Sequence, residues 1–428
     1  MKIRHKILQS KLFKVTSLNS ISVLIKIVIG IISSKILAVA VGASGMALIG
    51  NFRNFLNVIE SISTFGTSNG IIKLAATHQK EDDKLKSILS TLLFSTIFLS
   101  IFLSFLLFFL ANYIQNQIFG YPFDFISIIR VLALVLPLYA LSIVMMAFLN
   151  GLGAFKKIIY LNMIGNVLGL VFTVYLVGNW HVYGGLLASI FAPTVLFFIA
   201  YYYLNQQINI IKSCKWTFFN SQLLINLLDF SLMSLVSAIG TPIVLLTLRN
   251  VVVLQIGLQY AGYWETMTRI SNYYMMFITT ILSLFFLPKL AAFPSNKDIK
   301  KTFMLYYKTL LPVFIIGSVF IYLFRFYIIN GLFTSEFQPV ENLFLGQLIG
   351  DVFKVASLIL GYNLLAQKMT KTYIVTELVS LAVMYFSTLF AIQYFGFQGI
   401  VIGHCITFVS YFIVLLFVFR KIIFMKNI

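Results

Sequence analysis

Lys26, Arg53, Arg130, Arg249, Arg269 and Lys354 lie within or at the edges of long apolar runs, as do the carboxylates Glu60, Asp229, Glu265, Asp351 and Glu377. A charge near the middle of a bilayer costs roughly 2.5–3.5 kcal/mol even on a lenient insertion scale, so such residues usually mark a pathway or a site. Guanidinium groups match phosphate oxygens two at a time, which suits the cations to an anionic ligand. Carboxylates in the same setting can hold a proton or a monovalent cation that drives a cycle. The first half of the chain carries Lys26, Arg53 and Arg130 against Glu60 alone. The second half sets Arg249, Arg269 and Lys354 against Asp229, Glu265, Asp351 and Glu377.

Spacing arranges these residues in stripes. Asn19, Ser22, Lys26, Gly30 and Ser33 recur every three or four residues, which puts them on one helix face. Arg53, Asn57, Glu60 and Thr64 follow the same rhythm, as do Glu265, Arg269 and Asn272, and Gln347, Asp351 and Lys354. Such faces are expected to line a shared aqueous cavity rather than lipid. A second reading stays open, in which Glu265–Arg269 and Asp351–Lys354 neutralise each other and only hold helices together. Arg130 has no carboxylate near it in sequence and either faces the cavity or snorkels outward. Asp229 and Glu377 suit ion coupling but can equally be interfacial, and His404 either titrates or bridges helices as a hydrogen bonder.

The elements that must position these groups are membrane helices. The chain is 60% hydrophobic and 10% charged, with a mean hydropathy of +0.97. About twelve apolar segments are long enough to span, at about 17–41, 45–73, 86–112, 124–149, 156–178, 183–204, 222–248, 258–288, 302–326, 340–366, 372–393 and 397–420. Ala38-Val39-Ala40 imitates a signal-peptidase site, but the apolar run before it is long enough to be read as an uncleaved first span. The net charge of +19 is explained by loops rather than by nucleic acid. Basic residues gather in alternate gaps (Lys80/Lys84/Lys86, Lys156/Lys157, Lys212/Lys215, Lys297/Lys300/Lys301) and at both ends, which predicts cytoplasmic termini.

A repeat runs through the chain. Arg53 is followed twenty residues later by Lys73-Leu74-Ala75-Ala76, and Arg269 twenty residues later by Lys289-Leu290-Ala291-Ala292, an offset of 216. Lys156 with Lys371 and Gly184 with Gly399 agree at an offset of 215. An even number of spans per half gives two lobes inserted the same way, with a site expected between them. The predicted architecture is an all-α polytopic membrane protein with about twelve transmembrane helices in two pseudo-symmetric six-helix lobes. Residues 1–205 and 222–428 form the lobes, joined by an interfacial cytoplasmic linker at 206–221 that carries Trp216 between lysines. Gly240 and Pro242 make the span at 222–248 the best candidate for a kink. Cys214 and Cys405 show no metal or redox spacing and are read as free thiols. No nucleophile elbow, phosphate loop or metal-ligand cluster is present in the sequence, and Gly151 and Gly153 lack the strand–turn–helix setting of a phosphate loop, so transport is favoured over catalysis.

Two stretches carry a family resemblance. SKILAVAVGASGMALIGNFRNF (Ser34–Phe55) and GQLIGDVFKVASLILGYNLLAQ (Gly346–Gln367) resemble the Wzx-type flippases of bacterial surface polysaccharides, and most of all the O-antigen translocase and lipid III (enterobacterial common antigen) flippase branch. The resemblance implies the MATE-like fold of the multidrug/oligosaccharidyl-lipid/polysaccharide (MOP) superfamily. It implies an undecaprenyl-pyrophosphate-linked oligosaccharide as substrate, moved across the inner membrane by alternating access. No cofactor is expected beyond coupling to protons or a monovalent cation, and polymerase and chain-length proteins of the glycan pathway are the implied partners. Arg53, Arg249, Asp351 and Lys354 match positions familiar from that branch. Asn272 replaces an aspartate of its relatives, so an acidic role there passes to Glu265 if to any residue. Arg53, Arg269, Lys26, Arg249, Lys354 and Arg130 are the expected substrate cations, and Asp229, Glu265, Asp351, Glu377 and Glu60 the expected coupling groups. The competing readings are a cation-coupled multidrug exporter of the same fold, disfavoured by the cationic first lobe, and a membrane glycan polymerase or ligase, disfavoured by the short outward gaps.

Overall fold

A chain crossing hydrocarbon must satisfy its backbone hydrogen bonds internally, and every regular element among the described residues is helical. A computed structural model describes the backbone of residues 2–120, 122–292 and 295–424, and side chains from Asn19 onward within those ranges except residues 226 and 228–230. In chain order the helices are α1 (Lys2–Ser63), α2 (Ser68–Thr77), α3 (Asp82–Phe109), α4 (Ala111–Phe119), α5 (Ile126–Gly151), α6 (Phe155–Asn205), α7 (Ile210–Ser213) and α8 (Ser221–Gln255). There follow α9 (Leu258–Ile281), α10 (Leu287–Ala292), α11 (Asn296–Leu323), α12 (Arg325–Leu332), α13 (Phe344–Ala366), α14 (Thr370–Phe395), α15 (Gly399–Val418) and α16 (Arg420–Ile423).

Among the described residues nine stretches are long and apolar enough to cross a membrane. Three of them, Asn19–Ser63, Phe155–Asn205 and Thr370–Val418, run 45, 51 and 49 residues, against the ~20 that one crossing needs. Each is interrupted by non-helical backbone, at Gly42, at Trp180–His181 and at Gly396. Counting each of the three as a pair gives twelve crossings, six in each half of the sequence, as predicted.

The repeat is written in the backbone breaks. Gly42 (φ 65°) and Gly257 (φ 130°) stand 215 residues apart, as do Gly153 (φ 71°) and Lys368 (φ 53°), and His181 (φ 45°) and Gly396 (φ 54°). The last pair also shares ψ, −121° and −128°. Gly184 and Gly399 do the same work in each copy. A Cβ at Gly184 would lie 1.9 Å from the Leu176 carbonyl oxygen, and one at Gly399 2.2 Å from that of Ala391. Only glycine lets the returning helix pass this close to the one it has just left.

Three boundaries differ from the sequence reading. The second span does not run unbroken to residue 73: a turn at 64–67 divides it, with Phe65 and Gly66 at positive φ. The cause is local, because Ser63 and Thr64 hydroxyls donate to the Glu60 carbonyl and the Thr67 hydroxyl to that of Thr64, competing with the helix ladder. Helix α8 runs past residue 248 to Gln255, so Arg249 lies inside it rather than near its end. The gap at 112–123 is largely filled by α4. In the second half of the chain, α9 passes through a π turn at Leu282–Phe286 into α10, where Pro288 lacks the N–H that an α ladder needs.

The chain divides into two compact units, Met1–Ala40 with Asn51–Ile239, and Val41–Gly50 with Gly240–Ile428. The first is centred on α3 and α5, where Leu89, Leu92, Val144 and Phe148 are buried together. The second buries Phe286, Phe303, Tyr306, Ile359 and Leu364. Within the first unit, α7 and the turn at Trp216–Phe218 are tied to α3. Ser90 Oγ donates to the Ser213 carbonyl (3.0 Å), Asn220 N–H donates to Thr91 Oγ1 (3.0 Å), and Trp216 packs edge-on against Phe94. Cys214 and Cys405 are free, and burial pushes the Cys214 thiol up from its ordinary range.

Two glycines separate backbone strain from space. Added Cβ atoms at Gly396 and at Gly317 within α11 would each meet nothing within 4 Å, but only Gly396 has positive φ. Gly396→Ala is expected to destabilise by about 1–2 kcal/mol and Gly317→Ala to stabilise by about 0.5–1 kcal/mol. Thermal unfolding of the purified, detergent-solubilised chain reads both, and equal midpoints would remove the conformational reason for Gly396.

Candidate functional site

The second unit builds two buried polar clusters on α9. Four-residue spacing puts Glu265 and Arg269 on one face of that helix, and Arg269 Nε donates to Glu265 Oε1 at 2.8 Å. Helix α8 delivers Arg249, whose Nη2 donates to Glu265 Oε2 at 2.9 Å. The three side chains are 1%, 6% and 4% exposed for Arg249, Glu265 and Arg269. Removing an ion from water costs several kcal/mol, so one carboxylate clasped by two guanidinium groups answers a large penalty with short charge-assisted bonds. The Arg249 guanidinium also sits 5.3 Å from the Trp264 ring centroid. Gly50 closes the cluster: a Cβ there would lie 2.5 Å from the Glu265 carboxyl carbon and 2.6 Å from Arg249 Nη1.

The second cluster surrounds Asp351 of α13, which is fully buried. Its Oδ2 accepts from Ser271 Oγ (2.7 Å) and from the Tyr274 hydroxyl, both on α9. Gln347, one turn earlier, donates to both carboxylate oxygens (3.2 and 3.3 Å). His404 of α15 brings Nε2 to 3.0 Å from Oδ1. The partner of Asp351 is thus not Lys354, the residue its spacing suggests. Lys354 Nζ instead lies 5.1 Å from the Phe408 ring centroid, while donors from α9, α13 and α15 surround the carboxylate.

The first unit presents its charges differently. Arg53 and Asn57 are exposed along α1, as is Lys26 earlier on the same helix. Glu60 accepts a hydrogen bond from the Tyr139 hydroxyl of α5 at 3.1 Å. Arg130 is exposed, with its guanidinium 5.4 Å from the Phe108 ring centroid. Glu377 is half-buried on α14, and Asn272 is exposed beside the buried Ser271. The side chain of Asp229 lies outside the described residues.

Spacing within one helix reveals only part of this. The Arg249–Glu265 contact crosses from α8 to α9, sixteen residues apart, and the Ser271 and Tyr274 contacts to Asp351 cross from α9 to α13. No single-helix periodicity signals either. Glu336 is a further group without a sequence signal. Its Oε1 accepts from Ala43 N–H at 3.1 Å and from Gln259 Nε2 at 3.3 Å, just past the break at Gly42 where the restarting helix has unpaired donors.

Glu265→Gln removes the charge that both arginines share and leaves two buried guanidinium groups facing a neutral amide. A loss of about 3–5 kcal/mol is expected, read as a large fall in the thermal midpoint of the purified chain. Glu265→Gln with an unchanged midpoint would show that the cluster contributes no stability.

Comparison with known proteins follows the same lines. The family model described as polysaccharide biosynthesis protein matches residues 45–342. The lipid III flippase of Escherichia coli (strain K12) is 26% identical over 393 residues, covering 91% of this chain and 94% of that protein. The lipid III flippase of Shigella flexneri matches to the same extent, at 26% identity over 91% of this chain and 94% of its own. Among solved structures, an inward-facing multidrug resistance MATE family transporter of the MOP superfamily superposes with a TM-score of 0.78 at 15% identity, covering 92% of this chain and 95% of that one. An outward-facing MATE family transporter of the MOP superfamily gives 0.69 at 15% identity, over 96% and 95%. These likenesses show the fold, which is that of MATE transporters. With the family model spanning well over half of its length, the chain belongs to the polysaccharide biosynthesis protein family.

Proposed function

We propose that the chain is a flippase that carries an undecaprenyl-pyrophosphate-linked oligosaccharide across the bacterial inner membrane by alternating access, with both termini in the cytoplasm. The observation that carries this reading is the similarity to lipid III flippases along 91% of the chain, within a family of polysaccharide biosynthesis proteins. The pyrophosphate is the part of such a substrate that needs cations. Arg53 and Lys26 are exposed along α1, so we assign them the first contact, with Arg130 and Lys354 as further cations. Arg249 and Arg269 each direct a donor to Glu265, so their contribution is a positive field more than an open fork. The sugar occupies aqueous space and the polyprenyl tail stays in lipid. A proton or a monovalent cation drives the cycle, and polymerase and chain-length proteins of the same glycan pathway are the partners this reading implies.

The test is a deletion strain. It should accumulate the lipid-linked intermediate and lose surface glycan, and the wild-type chain should restore display. Arg53→Ala, at normal protein levels, is expected to restore less than a tenth of it, with Arg53→Lys in between. Full display by Arg53→Ala would sink the assigned contact. A deletion strain with normal glycan and altered drug susceptibility would instead favour a multidrug exporter.

A further inference from the structure

The Asp351 cluster contains more than a buried carboxylate needs for stability. Four donors already converge on Asp351, from Ser271, Tyr274, Gln347 and His404. A carboxylate has about four lone-pair sites, so adding a proton to Asp351 would evict a donor. The imidazole beside it is different. His404 Nε2 lies 3.0 Å from Asp351 Oδ1 and 3.1 Å from Gln347 Nε2. With a proton on Nε2, the ring donates to the carboxylate, and the two nitrogens share one acceptor. With Nε2 bare, the amide of Gln347 donates to it while its other N–H keeps Asp351. Nε2 therefore finds a partner with or without its proton in one unchanged geometry. The side chain of His404 is 19% exposed while that of Asp351 is 0%, so the imidazole is the member of the pair that exchanges with its surroundings.

The packing reserves room for this ring. A Cβ at Gly350 would stand 2.3 Å from His404 Cδ2, and one at Gly346 2.6 Å from Val401 Cγ2. Gly346 and Gly350, four apart on α13, let α15 approach closely enough for the imidazole to reach Asp351. The ring edge packs against Phe408 at 4.7 Å between centroids.

We propose that Asp351 and His404 form a proton-binding couple in the second unit, with the exchangeable proton carried by the imidazole and its charge held by the carboxylate. Uptake adds one proton to the neutral ring and changes the pair from a net −1 to neutral, and release reverses it. The other titratable or charged groups facing the pair are Tyr274 from α9, Lys354 from its own helix and Cys405 from α15, whose Sγ donates to the Gly346 carbonyl. Arg269, two residues before Ser271 on α9, is already bonded to Glu265. A unit change of charge inside a low-dielectric helix bundle is large enough to bias how its helices pack. Resting on the flippase reading, this couple supplies the site for a driving proton.

The experiment needs no substrate. The chain has four histidines, so full-length protein labelled with 13C-histidine in lipid nanodiscs gives few ring resonances, and His404→Gln assigns the one of interest. Titrated from pH 5 to 9, the His404 resonance is expected to move through a single midpoint. Asp351→Asn should displace that midpoint by at least one pH unit, a tenfold change in proton affinity. A His404 resonance that does not move over this range overturns the proposal even if Asp351→Asn fails to fold. A midpoint unaltered by Asp351→Asn overturns it as well. Loss of the flippase reading in the deletion strain would leave this titration untouched, so the two failures are distinguishable.

Discussion

An ion placed inside a membrane protein must recover from protein donors what it loses in hydration. The second unit meets that constraint twice, by opposite means. Glu265 recovers it from two guanidinium groups, Asp351 from a serine, a tyrosine, an amide and an imidazole. Both solutions recruit several helices, so α8 and α9 are fixed to each other by one carboxylate, and α9, α13 and α15 by the other. The glycines follow from the ions. Gly50 is small because Glu265 and Arg249 fill the space its side chain would take, and Gly350 is small because His404 does.

The sequence makes the frame legible for the same reason that it hides the clusters. Lipid imposes about twenty apolar residues per crossing, so hydropathy alone yields twelve spans, and Gly184 and Gly399 betray the repeat because a close helix return admits no other residue. A break inside a span is harder to see. The turn at 64–67 arises from Ser63, Thr64 and Thr67 bonding to nearby carbonyls, a competition that apolar periodicity does not register. His181 is harder still, because a histidine occupies backbone geometry that its counterpart Gly396 makes look like a glycine position. Its ring nitrogen Nδ1 lies 3.2 Å from the Ala40 carbonyl, next to the break at Gly42. That hydrogen bond offers a compensation for the backbone cost that no composition rule foretells. Ion partners are least legible, since Glu265 has one partner four residues away and another sixteen residues away on a different helix.

Arg53 and Arg269 look like equivalent stations in the repeat, yet Arg53 is exposed and Arg269 is buried. Counting from the backbone breaks explains the difference. Those breaks are related by 215 residues, at Gly42 and Gly257, whereas the arginines are related by 216. Arg269 thus sits one residue further along its helix than Arg53 does, a rotation of about 100°. One inserted residue turns the same side chain from an exposed face to one that meets Glu265.

The frame is therefore repeated while the chemistry is not. Symmetric breaks keep the two sets of six crossings alike, because loop closure and close helix returns obey the same sterics in each copy. Charge is free to diverge on that frame, since a single-residue shift moves a side chain to another face without disturbing the return of the helix. In the first unit the shift leaves Arg53 on an exposed face with Asn57 beside it. In the second it leaves Arg269 inside a cluster whose carboxylate it shares with Arg249. A duplicated scaffold of this kind can leave an arginine exposed in one copy and charge-compensated in the other, and the number of residues between break and arginine is what separates the two settings.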